Sequence, residues 1–336
     1  MLRKFILIFL LIFFSAIYAQ ISLVGPMGFT VEVDTIDGNF ALGLSDGRRL
    51  TFDYHYPWAG REVSHLNFML DDTLYVTSEW ILTPCHALDI GYYRESAYFD
   101  STNAIISYDF SGVTLVEKLS IKVLSGLPVM RVCYKVTNER DELVRYGILL
   151  NLDITVNMDD NAPFEVDTIL FSSGKIFEGD EMPYTLQFFE RRITDPLIER
   201  FYLRLEDRIP DLLAIGRQSV FFSTCWDIDR ESIIDRPYSD IGMVLRWNIM
   251  ELAPGETDTC IFYAGLGAHW DVSFPILWRT LTSEFYARDC HLEPNPFEFT
   301  LEVTNYSSDT LDSLYACLTP DTMFFFSDDS SCKPIF

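Results

Sequence analysis

A stretch of short carboxylate and amide side chains, NLDITVNMDDNAPF at 151–164, directly follows a strand-like run of the sequence. Asp153, Asp159 and Asp160 are oxygen donors of the kind that Ca²⁺ prefers, and calcium needs about six to eight oxygen ligands. Side chains of the same types also cap backbone groups in tight turns, and Pro163 would end the strand. The stretch is therefore either a calcium site at these three aspartates or a capped turn. We favour the turn, since it explains the residue types without a ligand.

The spacing of the side chains excludes one type of calcium site, the EF-hand. Asn157, Asp159 and Asn161 alternate as the first ligands of that loop do. Ala162, however, stands where an EF-hand has the glycine of its sharp turn, and Thr168 where it has its bidentate glutamate. Calcium is the one cofactor that the sequence suggests, and only at a site of another type.

Other catalytic signatures are absent from the sequence. The chain has no GxSxG, HExxH, GxxxxGK[ST] or GxGxxG motif, so serine hydrolase, zincin and nucleotide-binding chemistry lack their characteristic residues. A glycosidase needs two carboxylates about 5–10 Å apart across a groove, and nothing in the sequence selects such a pair.

The elements that position these residues are predicted to be strands almost throughout. The runs 40–44 and 50–56 flank Asp46-Gly47, a hairpin signal, and 66–70 and 74–77 flank Asp71-Asp72. A meander follows over 104–154, and later strands are expected at 219–226, 241–247 and 257–264. About sixteen or more short antiparallel strands without βαβ alternation predict an all-β fold, a large sandwich of two face-packed sheets. Residues 276–287 form the best helix candidate.

The two ends of the chain predict its location and its domains. Residues 1–19 have the basic start, apolar run and small-residue end of a signal peptide. The large sandwich is expected over 20–291, and the HLEPNP stretch at 291–296 marks a boundary. Residues 296–336 resemble the first strands of a second sandwich. We expect this sandwich to be incomplete, because an immunoglobulin-like domain needs about 100 residues. We expect an exported protein, secreted or at the cell surface or in the periplasm, without a transmembrane segment after signal removal.

Charge and cysteine content limit the partners. With 50 acidic and 25 basic residues the net charge is −25, which repels phosphate backbones and makes nucleic acid an unsuitable partner. The seven cysteines show neither CxxC nor zinc-like spacing, and their odd number and irregular spacing argue against a disulfide framework, so we expect one or two disulfides at most. Cys133, Cys225 and Cys260 lie in strand patterns, where we expect small buried side chains.

Three signatures occur in order along the chain: YKVTNE at 134–139 with GILLNLD at 147–153, the turn at 157–164, and LRW at 245–247 with LAPGET at 252–257 and YAGLG at 263–267. Together they resemble uncharacterised exported bacterial domains whose large β-sandwich is similar to the galactose-mutarotase-like supersandwich. Such domains are often followed by immunoglobulin-like repeats of the adhesion type, which the tail at 297–330 resembles.

This resemblance implies a function connected with sugars. Mutarotase-type catalysis needs a histidine acid and a carboxylate base, yet no histidine here lies in a motif that matches those positions. His55 and Trp58, and His269 and Trp270, are the candidate ligand-binding residues, because aromatic neighbours could form a sugar platform. We expect a structural or adhesive surface protein that binds glycans or calcium without catalysis. The alternative is a carbohydrate-active enzyme, a mutarotase-like epimerase or a glycoside-processing enzyme.

Overall fold

The structure is a computed structural model that describes residues 20–52, 64–124, 126–157, 159–166, 169–190, 200–234, 236–237, 239–267 and six short strands in the C-terminal part. The chain divides into two compact units at 269/270, and each is described by itself. The predicted signal peptide at 1–19 lies outside the described residues.

The described residues of the first unit form nineteen strands, two short α-helices and four 3₁₀ helices. The strands are β1 Gln20–Val24, β2 Phe29–Asp34, β3 Phe40–Leu44, β4 His65–Leu70, β5 Thr73–Val76, β6 Leu88–Asp89, β7 Arg94–Phe99, β8 Asn103–Asp109, β9 Val113–Leu124, β10 Leu127–Asn138, β11 Val144–Asp153, β12 Phe164–Val166, β13 Ile169–Phe171, β14 Lys175–Glu178, β15 Thr185–Phe189, β16 Arg200–Asp207, β17 Leu212–Arg217, β18 Ile241–Leu252 and β19 Thr257–Leu266. The α-helices are α1 Glu79–Cys85 and α2 Gln218–Phe221, and the 3₁₀ helices are Pro26–Gly28, Ile90–Tyr93, Gly179–Glu181 and Arg230–Ser232.

Two large sheets form this unit, as the sequence predicts. The nine-stranded sheet has the order β13-β12-β15-β16-β19-β10-β9-β8-β7, and the seven-stranded sheet has the order β14-β17-β18-β11-β4-β5-β6. Their pairings are antiparallel except for β5 with β6, and β1-β2-β3 form a small third sheet. The all-β, two-sheet sandwich is therefore confirmed.

One apolar core lies between the two large sheets. Over most of β8 to β10 alternate side chains are buried, as in Tyr108, Leu115 and Val132. These belong to the same cluster as Ile148 and Leu245 from the other sheet. Alternation of this kind is what a sheet with one buried face requires. A ligand could therefore bind only to the faces of the two sheets that point away from this core, unless it binds at their edges.

The outer face of the seven-stranded sheet is covered by the chain itself. Leu149, Phe221 and Ile233 form a second apolar cluster there, which includes α2 and the segment after it. Asn67 of β4 donates its amide hydrogens to the carbonyls of Thr224 and Cys225, at 3.1 and 2.8 Å. This sheet is thus buried on both sides.

Two sequence predictions fail in this covering segment. The run 219–226 was expected to be a strand, but it contains the end of α2 and a loop. Cys225 was expected to be a small buried side chain, but it forms a disulfide with Cys85 at the end of α1, across 140 residues. Among the described cysteines, Cys133 and Cys260 are free thiols, and Cys260 is buried as predicted.

An ion pair at one end of the sandwich joins the two sheets. Arg208 Nη1 lies 2.5 Å from Asp258 Oδ2, and both groups contact the hydroxyl of Tyr146, which donates to the carboxylate. Burial and the bond to Asp258 raise the pKa of Tyr146 far above its ordinary value, so the phenol stays protonated. A satisfied network of this kind specifies how β11 and β19 face each other.

The second unit consists of short paired strands. They are β20 Ile276–Thr282, β21 Tyr286–Arg288, β22 His291–Glu293, β23 Phe299–Asn305, β24 Tyr315–Cys317 and β25 Cys332–Pro334. The helix predicted at 276–287 is wrong, since β20 is a strand that pairs with β23. This pairing crosses the boundary predicted at 291–296, and the immunoglobulin-like character of the unit stays a prediction. In the described part of the chain, no helix is long and apolar enough to cross a membrane.

Candidate functional site

The turn after β11 has the hydrogen bonds of a capped loop. Asp160 accepts a hydrogen bond from the Thr155 hydroxyl at 2.8 Å, and Asp159 accepts one from the backbone N–H of Asn161 at 3.0 Å. Asn157 has φ of +60°, a left-handed conformation that asparagine tolerates better than most residues. These contacts are those of the capped turn that the sequence favours.

The predicted calcium ligands occupy different surroundings. Asp153 is buried at the end of β11, whereas Asp159 and Asp160 are half-buried in the turn. Within the described ranges, no group of three or more His, Cys, Asp or Glu side chains is close enough to hold a metal ion. The calcium site at these three aspartates stays a prediction.

The four predicted sugar-platform residues, His55, Trp58, His269 and Trp270, all lie outside the described residues. The histidines whose side chains are described lie elsewhere. His65 is buried in β4, with Nδ1 3.3 Å from the side-chain nitrogen of Asn151, and His86 is exposed at the end of α1. On the described strands of the nine-stranded sheet, no histidine accompanies the carboxylates in the way that mutarotase-type catalysis requires.

A polar cluster lies inside the core, beside a cavity of about 10 Å³, the size of one water molecule. Its centre is the carboxyl of Glu117, which is 2% exposed and lies next to the hydroxyls of Tyr108 and Tyr134. Gly38 packs directly against this group, since a Cβ atom there would lie 2.0 Å from Glu117 Oε2. Among the described residues, the cavity beside this cluster has room for nothing larger than a water molecule.

The outer face of the nine-stranded sheet, the face that points away from the core, has a different composition. Strand register places Ser120, Arg131, Tyr263, Arg204 and Thr185 in one row across β9, β10, β19, β16 and β15. Their neighbours along each strand point into the core, because side chains alternate. Ser120 at one end of the row is buried, whereas the other four side chains are half-buried. This half-buried part carries basic and aromatic side chains where a covered sheet would carry apolar ones.

A neighbouring row continues this pattern toward the sheet edge. Tyr202 of β16 is the register partner of Gly265 on one side and of Gln187 on the other, and Gln187 pairs with Glu165 of β12. Tyr202 and Tyr263 are half-buried, so each ring keeps part of its surface free. A half-exposed tyrosine combines an apolar ring with a hydrogen-bonding hydroxyl, which suits contact with a sugar.

Tyr263 is the centre of the polar contacts on this face. Its pKa is raised, first by burial and then by Glu206, while Arg131 opposes the rise. Arg204 lies over the ring, with Cζ 6.0 Å from the centroid, and its Nη2 lies 3.7 Å from Glu206 Oε1. The arrangement holds an aromatic ring among cationic and anionic groups, all of which can hydrogen-bond to hydroxyls of a ligand.

Arg200 of β16 lies next to the row that contains Tyr202 and Gln187. Its Cζ lies 5.2 Å from the centre of the Phe189 ring, and its Nη1 donates to Gln187 Oε1 at 3.4 Å. Burial lowers the pKa of this guanidinium, and the negative charge of Glu165 opposes that change. Gly267 allows the close packing, since a Cβ atom there would lie 2.9 Å from that of Arg200.

The sequence contains a weak signal for this face. The run RFYLRLED at 200–207 alternates polar and apolar residues, which predicts a strand with one polar side. It does not show that Arg204 lies beside Tyr263, because that pairing joins strands about 60 residues apart. The outer face was therefore missed by the sequence analysis.

No protein-family model matches the chain, and no curated protein matches its sequence. Solved structures with a similar fold include a protein provisionally assigned as an aldose 1-epimerase from Escherichia coli K12, with 9% identity, 74% of this chain and 99% of that chain covered, and a TM-score of 0.46. A galactose mutarotase-like protein from Lactobacillus casei ATCC 334 has 10% identity, with 74% and 100% covered and a TM-score of 0.44. A galactose mutarotase related enzyme from Lactobacillus acidophilus has 9% identity, with 75% and 98% covered and a TM-score of 0.41.

Two of these neighbours carry the galactose mutarotase name that the sequence resemblance also carries. At this identity and TM-score the likeness concerns the arrangement of strands, and no activity is argued from it.

Proposed function

We propose that this chain is a carbohydrate-binding β-sandwich protein of structural or adhesive type, which acts outside the cell or at its surface without catalysis. The observation that carries the proposal is the outer face of the nine-stranded sheet. There Tyr202 and Tyr263 are surrounded by arginine, glutamate and glutamine side chains in cross-strand register.

The side chains of this face are already held in place by contacts with one another before any ligand binds. A sheet needs only one apolar face to fold, and the other is normally covered, as in the seven-stranded sheet, or carries scattered polar side chains. Half-buried tyrosines and arginines held by cross-strand contacts lose little conformational freedom when a ligand binds. A hydroxyl-rich chain such as a glycan can hydrogen-bond to the polar groups of this face and pack against its half-exposed tyrosine rings.

The disulfide between Cys85 and Cys225 supports the extracellular part of the proposal. Disulfides form and persist in oxidising compartments and are rare in the cytosol. The apolar run of the predicted signal peptide at 1–19 points in the same direction.

Glycan-array binding of the full chain tests the proposal. We expect binding that Tyr202→Ala and Tyr263→Ala each weaken by about tenfold, since an aromatic contact contributes about 0.5–1.5 kcal/mol beyond its buried area. Tyr92→Ala is the matched control, because Tyr92 is exposed in a 3₁₀ helix. Tyr184 lines a separate surface cleft with Asp180 and Asp211, so loss of binding in Tyr184→Ala alone would move the site there and contradict the proposal.

The alternative class, a carbohydrate-active enzyme, is distinguished by activity. A mutarotase-like epimerase would accelerate the optical rotation change of fresh galactose in proportion to enzyme concentration. We expect the spontaneous rate, and an acceleration by the wild-type chain would overturn the non-catalytic part of the proposal.

A further inference from the structure

The charge of the outer face is opposite to that of the chain as a whole. Register places six basic and three acidic side chains on this face: Lys118, Lys122, Arg131, Lys135, Arg200 and Arg204 against Asp109, Glu165 and Glu206. In the whole sequence, acidic residues outnumber basic ones by 50 to 25. A local excess of positive charge on so acidic a protein attracts anions to one place while the remaining surface repels them.

Arg200 supplies a second, independent observation. It is only 7% exposed, and its Nε has no hydrogen-bond partner among the described residues. Burying a donor without a partner costs more free energy than a typical hydrogen bond contributes net. The Glu165 carboxylate that acts on it belongs to the adjoining part of the same face, so the guanidinium sits at the edge of the surface already described.

We propose that the ligand of the outer face is an anionic glycan, a sugar chain that carries carboxylate or sulfate groups. This inference rests on the proposed function and names the ligand class of that same site. Arg131, Arg200 and Arg204 would bind the anionic groups, since guanidinium pairs with carboxylate and sulfate oxygens through two parallel hydrogen bonds. Tyr202 and Tyr263 would contact the apolar faces of the sugar rings between them.

The overall negative charge of the protein opposes the binding of an anionic ligand. A net charge of −25 disfavours any polyanion that does not reach the outer face in a specific geometry. General attraction between a basic protein and a polyanion is therefore no explanation of binding here. For the same reason we expect a DNA duplex not to bind, although it carries as many anionic groups as the glycan.

Titration calorimetry on the full chain tests the inference with two matched pairs of probes. Tetragalacturonate is compared with its methyl ester, which has the same rings without charge, and a sulfated dextran oligosaccharide is compared with the unsulfated one. We expect the charged member of at least one pair to bind about tenfold more tightly or better, which corresponds to one charge-assisted hydrogen bond. The two pairs distinguish carboxylate from sulfate as the recognised group.

Variants locate the effect on the outer face. Arg204 has 44% of its side chain exposed, so Arg204→Gln should fold and should remove most of the preference for the charged probe while binding of the neutral one changes little. Arg131→Gln is the second variant, in case Arg204→Gln lowers the melting temperature. Arg48→Gln is the control, because Arg48 pairs with Asp46 in the turn after β3, which is not part of the nine-stranded sheet.

The outcomes separate this inference from the proposed function. Equal affinity for charged and neutral probes overturns the anionic ligand and leaves a carbohydrate-binding protein. Preference for the charged probe that survives both arginine variants overturns the location. Equal binding of the DNA duplex shows a polyanion site that is not specific for sugars and also overturns the inference. Absence of binding to all four sugars overturns the anionic ligand. If the glycan array also shows no ligand, the proposed function is overturned as well.

Discussion

Replacing Glu117 by glutamine is expected to stabilise the protein at neutral pH. This side chain lies in β9 between the two large sheets and is only 2% exposed. Burial raises the pKa of its carboxyl well above the ordinary value, the hydroxyl of Tyr134 opposes that rise, and the negative charge of Asp37 adds to it. The folded protein therefore holds a proton that the unfolded chain releases.

The sign and size of the effect follow from proton linkage. Below the ordinary pKa of a glutamate the carboxyl is protonated in both states, and burial of its charge costs nothing. As the pH rises above that value, the unfolded state ionises first, so the native state binds more protons and its stability falls by about 1.4 kcal/mol per pH unit until the folded carboxyl titrates as well. Glutamine does not titrate, so Glu117→Gln escapes this loss.

Urea unfolding of the wild type and of Glu117→Gln, at one-unit pH steps from 4 to 7, measures the difference. Any constant change in packing cancels in the slope, so we expect the free energy of unfolding of the variant to gain on that of the wild type as the pH rises above 5, by at most about 1.4 kcal/mol per pH unit. Glu139→Gln, at an exposed position, should show no such slope. A difference that does not change with pH would refute a protonated, buried Glu117.

Two further perturbations test the covering segment and the turn. Cys85→Ser removes the disulfide to Cys225 and should lower the free energy of unfolding by about 2–5 kcal/mol, since the closed loop is long. The control is Cys133→Ser, which removes a free thiol. An equal loss of stability in both variants would contradict the disulfide. Thermal unfolding with calcium and with excess chelator, at matched ionic strength, tests the turn. The hydrogen bonds of Asp159 and Asp160 predict no shift, and a concentration-dependent rise that Asp159→Asn abolishes would instead establish a metal site.

Local patterns in the sequence predict most of the strands. The Asp-Gly signal at Asp46 and Gly47 is confirmed, since Gly47 has φ of +94° and the chain turns back after β3. The Asp71-Asp72 turn joins β4 to β5 as predicted, and Asp71 adopts the left-handed conformation there. These predictions hold because turn chemistry and period-two alternation act within a few residues.

The failures have a common physical cause. Residues 276–282 place apolar side chains at both helical and strand spacing, and pairing with β23 decides for the strand. The segment around α2 reads as a strand, but it instead covers the outer face of the seven-stranded sheet. The candidate site depends on the same kind of contact, since β19 lies between β10 and β16 and so joins Arg131, Tyr263 and Arg204. Pairing between distant segments depends on how the whole core packs, so it leaves no local pattern in the sequence.

The most direct test of the central claim is a crystal structure of the full chain with the oligosaccharide that binds most tightly. We expect the sugar to lie on the outer face of the nine-stranded sheet, within hydrogen-bond distance of Arg204 and against the ring of Tyr263. A sugar bound instead in the cleft beside Tyr184, or anywhere else away from that face, would contradict it.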